Sequence, residues 1–175
     1  MTKKLLLQRG FTLVELLIVI ALLGALAIGL IGALDPFEQL KKGTDTGTRN
    51  TVSEVQGAIV RYFALKGYMP WCDDSTCATA QPLSEPLNGT TTMETAISKI
   101  VNSGELKTDF TAIQSGQLDK VFVTGTPLTA IVCYQPTAKS FQSDVNTKYK
   151  KDGTLEDPDT CKSDDGTASC YWCVQ

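Results

Sequence analysis

Residues 9–20 read Arg9-Gly10-Phe11-Thr12-Leu13-Val14-Glu15-Leu16-Leu17-Ile18-Val19-Ile20, an apolar run with one carboxylate set inside it. From Phe11 to Leu34 there are 24 residues whose only ionisable side chain is Glu15. As an α-helix this run is about 36 Å long, enough to cross the roughly 30 Å hydrocarbon core of a bilayer. Lys3, Lys4 and Arg9 precede it without an acidic residue. The positive-inside rule therefore keeps the start cytoplasmic and sends everything after Leu34 outward. An acidic group in a spanning helix is costly, though less so near the interface where Glu15 would lie, so a partner for it is expected.

Outward from this stretch the chain is ordinary folding material. With 175 residues, 42% hydrophobic and 20% charged, it reads as one domain with an appendage. Beyond the leader, 13 basic residues face 19 acidic ones, a net of −6, which argues against direct nucleic acid binding. All six cysteines, Cys72, Cys77, Cys133, Cys161, Cys170 and Cys173, fall on the outer side, where thiols are oxidised into bridges. The sequence has no histidine. That removes the usual general base and any Ser/His or Cys/His nucleophile pair, so an enzyme is not expected.

A helical stripe continues past the apolar run through Phe37, Leu40, Thr44, Thr48, Val52, Val55, Ile59 and Phe63. Asp35-Pro36 predicts a kink or short unwinding inside it, because proline lacks the amide donor and crowds the preceding turn. Continuous to Lys66, the helix would be about 84 Å long, more than one small core covers. Gly67 and Pro70 stop it, and residues 71–91 read as a loop. Thr91-Thr92-Met93-Glu94 has capping-box form and opens a short helix with Met93, Ile97, Ile100 and Val101 on one face and Gly104 at its end. Residues 120–124 and 128–134 flank Gly125-Thr126-Pro127 as a hairpin, and 169–174 predict a final strand. Residues 136–168 are polar and turn-rich.

Three readings of the opening stretch compete: an ordinary secretory signal, for which Ala25-Leu26-Ala27 offers a cleavage site, a plain membrane anchor, or a processed segment that also builds something. Arg9 to Ile20 resembles the N-terminal signature of type IV pilins and type II secretion pseudopilins. The strong resemblance covers residues 3–34, and Tyr62 with Gly67-Tyr68-Met69-Pro70 is weakly similar to the helix end of the pseudopilin branch. It implies that a prepilin peptidase cuts between Gly10 and Phe11 and methylates the new amine of Phe11. Glu15 is then the glutamate that the family keeps five residues past the cut. It further implies an inner-membrane precursor pool, an assembly platform with its ATPase, and polymerisation with other copies.

The residues support this independently. Gly10 has no Cβ to obstruct a protease at the membrane surface. Cleavage would create an ammonium on Phe11, and parallel packing with an axial offset could set one copy's Phe11 amine beside a neighbour's Glu15. In lipid, apolar contact alone gives helices little reason to associate, so packing and charge pairing must supply the preference. The bland alternative is a tolerated interfacial glutamate in an anchor. Ala21, Ala25, Gly29 and Ala33 form a small-residue stripe that would allow close approach, although such residues are common in spanning helices anyway.

Other features are less specific. Cys170-Tyr171-Trp172-Cys173 has oxidoreductase spacing, but with only two residues following Cys173 no helix can start there to activate a thiol. Structural bridges are favoured over a redox pair or a zinc site. Residues three apart in a strand face opposite ways, so Cys170 and Cys173 should have different partners. The preferred set is Cys72 with Cys77, Cys133 with Cys173, and Cys161 with Cys170. Asp152, Glu156, Asp157, Asp159, Asp164 and Asp165 crowd one segment and suit calcium, as resemblance to some pseudopilins suggests. A solvated acidic loop is the favoured reading, without EF-hand spacing and with no cofactor expected. Asn88-Gly89-Thr90 is a glycosylation sequon of the kind that arises often by chance.

The expected fold is α+β: a leader (1–10), a spanning, filament-core half-helix (11–34), an amphipathic half-helix (35–67) and a disulfide-stapled head (68–175) with a small antiparallel sheet. The expected function is that of a structural subunit of a type IV pilus-like filament at the cell surface. A pseudopilin forming a short periplasmic pseudopilus is the alternative within the family, and a membrane-tethered redox or binding domain the alternative outside it.

Overall fold

The computed structural model describes residues 10–33, 35–161 and 169–175. It divides into two compact units between Phe37 and Glu38.

Helix α1 (Leu13–Ala33) is apolar all round and has no buried residue. Helices of that kind belong inside a large core or in lipid, and α1 is long and apolar enough to cross a membrane. Helix α2 (Pro36–Lys66) starts on its proline. At the first helical position the missing amide would have had no intrahelical partner, so the interruption that the Asp35-Pro36 pair predicts becomes a new helix start.

The second unit is α+β. Around the core side of α2 lie β1 (Glu85–Pro86), α3 (Thr91–Asn102), α4 (Phe110–Ile113), β2 (Val121–Gly125), β3 (Ala130–Tyr134), α5 (Lys139–Gln142), β4 (Thr147–Tyr149), α6 (Pro158–Cys161) and β5 (Tyr171–Val174). The strands form one antiparallel sheet in the order β1-β2-β3-β5-β4. Alternation along β2 and β3 buries Val121, Val123, Val132 and Tyr134 against Val52, Val55, Ala58 and Ile59 of α2 and Met93, Ile97 and Ile100 of α3. A Cβ on Gly125 would collide with the indole of Trp71, so this close approach admits only glycine.

The opposite sheet face carries the Cys133–Cys173 bridge, between residues directly paired across β3 and β5 with Cα atoms 4.1 Å apart. Residues 150–153 cover it. The Cys173 sulfur lies 3.8 Å from the Lys150 carbonyl oxygen. Gly153 packs so tightly that a Cβ there would be 2.5 Å from Cγ2 of Ile131. The other bridges, Cys72–Cys77 and Cys161–Cys170, close short loops.

Several expectations need correction. Phe37, Leu40 and Thr44 lie on the predicted stripe but are exposed, Phe37 by 74% and Leu40 by 69%. Asp45 is the first buried residue of α2, although the Lys139 amide already donates to Glu38, and Asp45, Thr51, Ala58 and Tyr62 complete the buried face. The cap of α3 is Thr90 rather than Thr91, its hydroxyl accepting from the Met93 amide. The supposed loop 71–91 contains β1, and the turn-rich stretch 136–168 contains α5, β4 and α6. These elements are two to four residues long, too short to show a period.

A buried polar cluster anchors α2 to the sheet. Asp45 is 2% exposed. Its carboxylate accepts from the amides of Thr137 and Ala138 at 2.8 and 2.7 Å and from the Thr137 hydroxyl at 2.9 Å. One helical turn on, Arg49 pairs with Asp144 at 3.3 Å and lies 4.3 Å from the Trp172 ring centre. The Tyr134 hydroxyl is buried without a partner among the described residues. Burial, and then the Asp45 charge, push that phenol well above its usual range.

Asp45→Ala strands buried amides and should lower unfolding free energy by roughly 2–4 kcal/mol, measured by denaturant titration of the solubilised protein. Tyr134→Phe removes an unsatisfied buried hydroxyl and should raise it by about 1 kcal/mol in the same assay.

Candidate functional site

The candidate processing and assembly residues lie at the start of α1. Gly10 and Phe11 precede the helix and are exposed, Phe11 by 81%. Among the described residues a Cβ on Gly10 would meet nothing within 4 Å, so packing against them does not account for glycine at position 10. The Gly10–Phe11 bond is outside regular structure, whereas Ala25-Leu26-Ala27 sits inside α1 with its backbone hydrogen-bonded. Lys3, Lys4 and Arg9 lie outside the described residues.

Glu15 has a local role that periodicity does not reveal. The Thr12 amide donates to Glu15 Oε2 at 2.9 Å, the Thr12 hydroxyl donates to the same oxygen at 2.8 Å, and the Glu15 amide donates to the Thr12 hydroxyl at 3.2 Å. This is a reciprocal capping box, with Thr12 just before the first helical residue and Glu15 in the first turn. Two amides that a helix start leaves unpaired are satisfied, and the carboxylate sits at the positive end of the helix dipole. The signal was present as Thr-x-x-Glu at 12–15, hidden by the apolar run around it. The small residues Ala21, Ala25, Gly29 and Ala33 are all exposed along α1.

Among the described residues the remaining candidates gather into no reactive constellation. Cys170 is bonded to Cys161 and Cys173 to Cys133, so the C-x-x-C pair has separate partners and Cys173 lies in β5. All six cysteines are bridged. Thr154's hydroxyl and amide hold the Asp152 carboxyl below its usual range, and Glu156 lies 3.9 Å from the Lys150 amine. Among the described residues no three His, Cys, Asp or Glu side chains gather as metal ligands. Asp164 and Asp165 of the acidic segment lie outside the described residues. Asn88 is exposed, and its sequon partner Thr90 is already engaged, capping α3 and donating to Glu85 at 2.7 Å. A cleft of about 340 Å³ beside it is lined by Leu87, Ile97 and Leu118 with Glu94 as its one ionisable group.

Residues 6–31 match the family model described as the prokaryotic N-terminal methylation motif. Neither a curated protein nor a solved structure matches the chain. The exposed Gly10–Phe11 bond, the capped Glu15 and the apolar α1 all fall in the matched stretch, and the α+β head with three disulfides is consistent with a pilin-like fold. The chain thus carries the prepilin-type motif of type IV pilins and pseudopilins, and is pilin- or pseudopilin-like.

Proposed function

We propose that this chain is a structural subunit of a type IV pilus-like filament, assembled through α1 after its leader is removed. A prepilin peptidase hydrolyses the Gly10–Phe11 bond, leaving a carboxylate on Gly10 and an ammonium on Phe11 that is then methylated. The processed subunit waits in the inner membrane. An assembly platform driven by its ATPase extracts it and sets its Phe11 amine beside Glu15 of an adjacent copy. In the finished filament α1 lies in the core and the bridged head outside, at the cell surface.

The observation that carries this reading is that α1 is matched to the motif and wholly unburied within its own chain. The head supports it by what its edges lack. At one edge β1 contains Pro86, which cannot donate to a further strand. At the other, β4 is flanked by the Tyr149–Leu155 bridge and by the bond from the Glu156 amide to the Lys148 carbonyl. Strand-by-strand polymerisation is thereby disfavoured. A periplasmic pseudopilus is a second reading, supported by Tyr62, whose ring packs edge-on against Tyr68 6.3 Å away, where the sequence is similar to the pseudopilin helix end.

Two roles for Glu15 can be separated by substitution, since glutamine also closes a capping box but has no charge. Glu15→Gln should keep α1 capped yet lose filaments as fully as Glu15→Ala, about a hundredfold or more in sheared material, because a broken buried ion pair costs about 3–5 kcal/mol. Wild-type filament yield from the glutamine variant would show that capping, not pairing, is what assembly needs.

Gly10→Val leaves the fold untouched but blocks the approach of a peptidase. The variant should accumulate in the membrane at precursor mass, whereas the wild-type protein should begin with a methylated phenylalanine, both read by mass spectrometry of the first peptide.

A further inference from the structure

Glu94, Ile97 and Ser98 are spaced by three and four residues, so they share one face of α3. A cleft of about 340 Å³ opens along that face, floored by the buried side chains of Leu87, Ile97 and Leu118. Across it stand Thr111 of α4 and Ser115 of the turn that follows. The walls are held by bonds made outside the cleft. The Leu87 amide donates to the carbonyls of Leu118 and Val121 at 3.2 and 3.0 Å. Thr90 caps α3. The side chains of Gln114 and Gln117, on either side of Ser115 in sequence, meet the Thr51 hydroxyl of α2 at 3.0 and 2.9 Å. The space is therefore preformed, and filling it would order little that is not already ordered.

We propose that this cleft is a binding site for a small amphipathic ammonium, a free amine carried on an apolar body. The inference stands on the head alone and is independent of the filament reading. Every polar side chain around the cleft can accept a hydrogen bond: the Glu94 carboxylate, the Asn88 amide oxygen, and the hydroxyls of Ser98, Thr111 and Ser115. The Ser98 hydroxyl already donates its proton to the Glu94 carbonyl at 2.9 Å, so it has only acceptor capacity left to offer. No lysine, arginine or histidine lines the cleft, and among the described residues the Glu94 carboxylate has no ion pair. An ammonium has three donors and no acceptor, which complements a ring of acceptors with one negative charge. Its apolar body would cover the Leu87, Ile97 and Leu118 floor. An anionic ligand would meet Glu94 with like charge, and a sugar would find no aromatic ring to lie on. The volume is at the small end for ligand pockets, which suits a small molecule rather than a chain segment.

The experiment follows the methyl resonances of Leu87, Ile97 and Leu118 in the full-length, detergent-solubilised protein as benzylammonium is added. Those methyls should shift saturably at roughly millimolar concentration, and benzyl alcohol and benzoate at matched concentrations should shift them less. Glu94→Gln should weaken benzylammonium binding roughly fivefold. Ser98→Tyr, which fills the mouth of the cleft, should abolish it. Both positions are exposed, so thermal melting of the two variants should match that of the unaltered protein. Should Ser98→Tyr melt lower, Glu94→Gln decides alone. Equal binding of the alcohol or the benzoate overturns the proposal, as does unchanged affinity in Glu94→Gln or in a fully folded Ser98→Tyr. A shift that rises without saturating marks benzylammonium entering the micelle only, and overturns it too. Tighter binding of an N-acetyl-lysine amide in the same cleft would assign it to a side chain of a partner protein and overturn the free amine.

Discussion

The constraint on which the rest depends is the solvent of α1. A helix of 21 residues with no buried side chain and no polar face cannot be stable in water. Its apolar surface needs lipid or other protein around it, and for the proposed filament those two environments would satisfy it almost equally. Near-equality is what makes transfer from one to the other feasible, since lipid tails are as apolar as leucine and the difference must come from packing and polar contacts. Glu15 is the one ionisable group in the helix that could supply such a difference.

The head solves a separate problem. Its core is built on one face of α2, a sheet of short strands and a single amphipathic helix of ordinary length, α3. A core of that size gains from covalent help, and each bridge typically contributes about 2–4 kcal/mol. Cys72–Cys77 closes a short stretch with little regular pairing, Cys161–Cys170 ties the end of α6 to the residue before β5, and Cys133–Cys173 ties the late strand β5 into the sheet beside β3. Asp45 does by hydrogen bonding what the bridges do covalently, holding the loop at 137–138 against the helix.

What was legible in the sequence follows from the length scale of each signal. The apolar run, the interruption at Asp35-Pro36, the hairpin around residues 125–127 and the α3 face each repeat a period or use a residue with one conformational meaning. The short elements do not. β1 is two residues long and includes a proline, so no alternation could announce it. β4 is a strand only because β5 lies beside it, with an irregular register between Thr147 and Tyr149. The stripe on α2 was read in the right phase, and the helix as longer than one small core covers, but where along it burial starts was not legible. Periodicity reports which side of a helix is apolar. It does not report how far along the helix a covering element extends.

The Thr12–Glu15 box changes the account of why a carboxylate persists in an apolar helix. Read from composition, Glu15 looks like an unsatisfied charge awaiting an outside partner. In the structure it already accepts two hydrogen bonds from Thr12 and faces the positive end of the dipole. Its cost in lipid would thus be partly offset within its own chain, as the proposed membrane pool requires. Both bonds use Oε2 and hold the carboxylate in one geometry at the helix start. An incoming amine would then meet an oriented anion rather than a mobile one, and little side-chain freedom would be left to lose. Capping and the proposed pairing are therefore compatible: the first would stabilise the group in a membrane pool and prepare the geometry that the second would use.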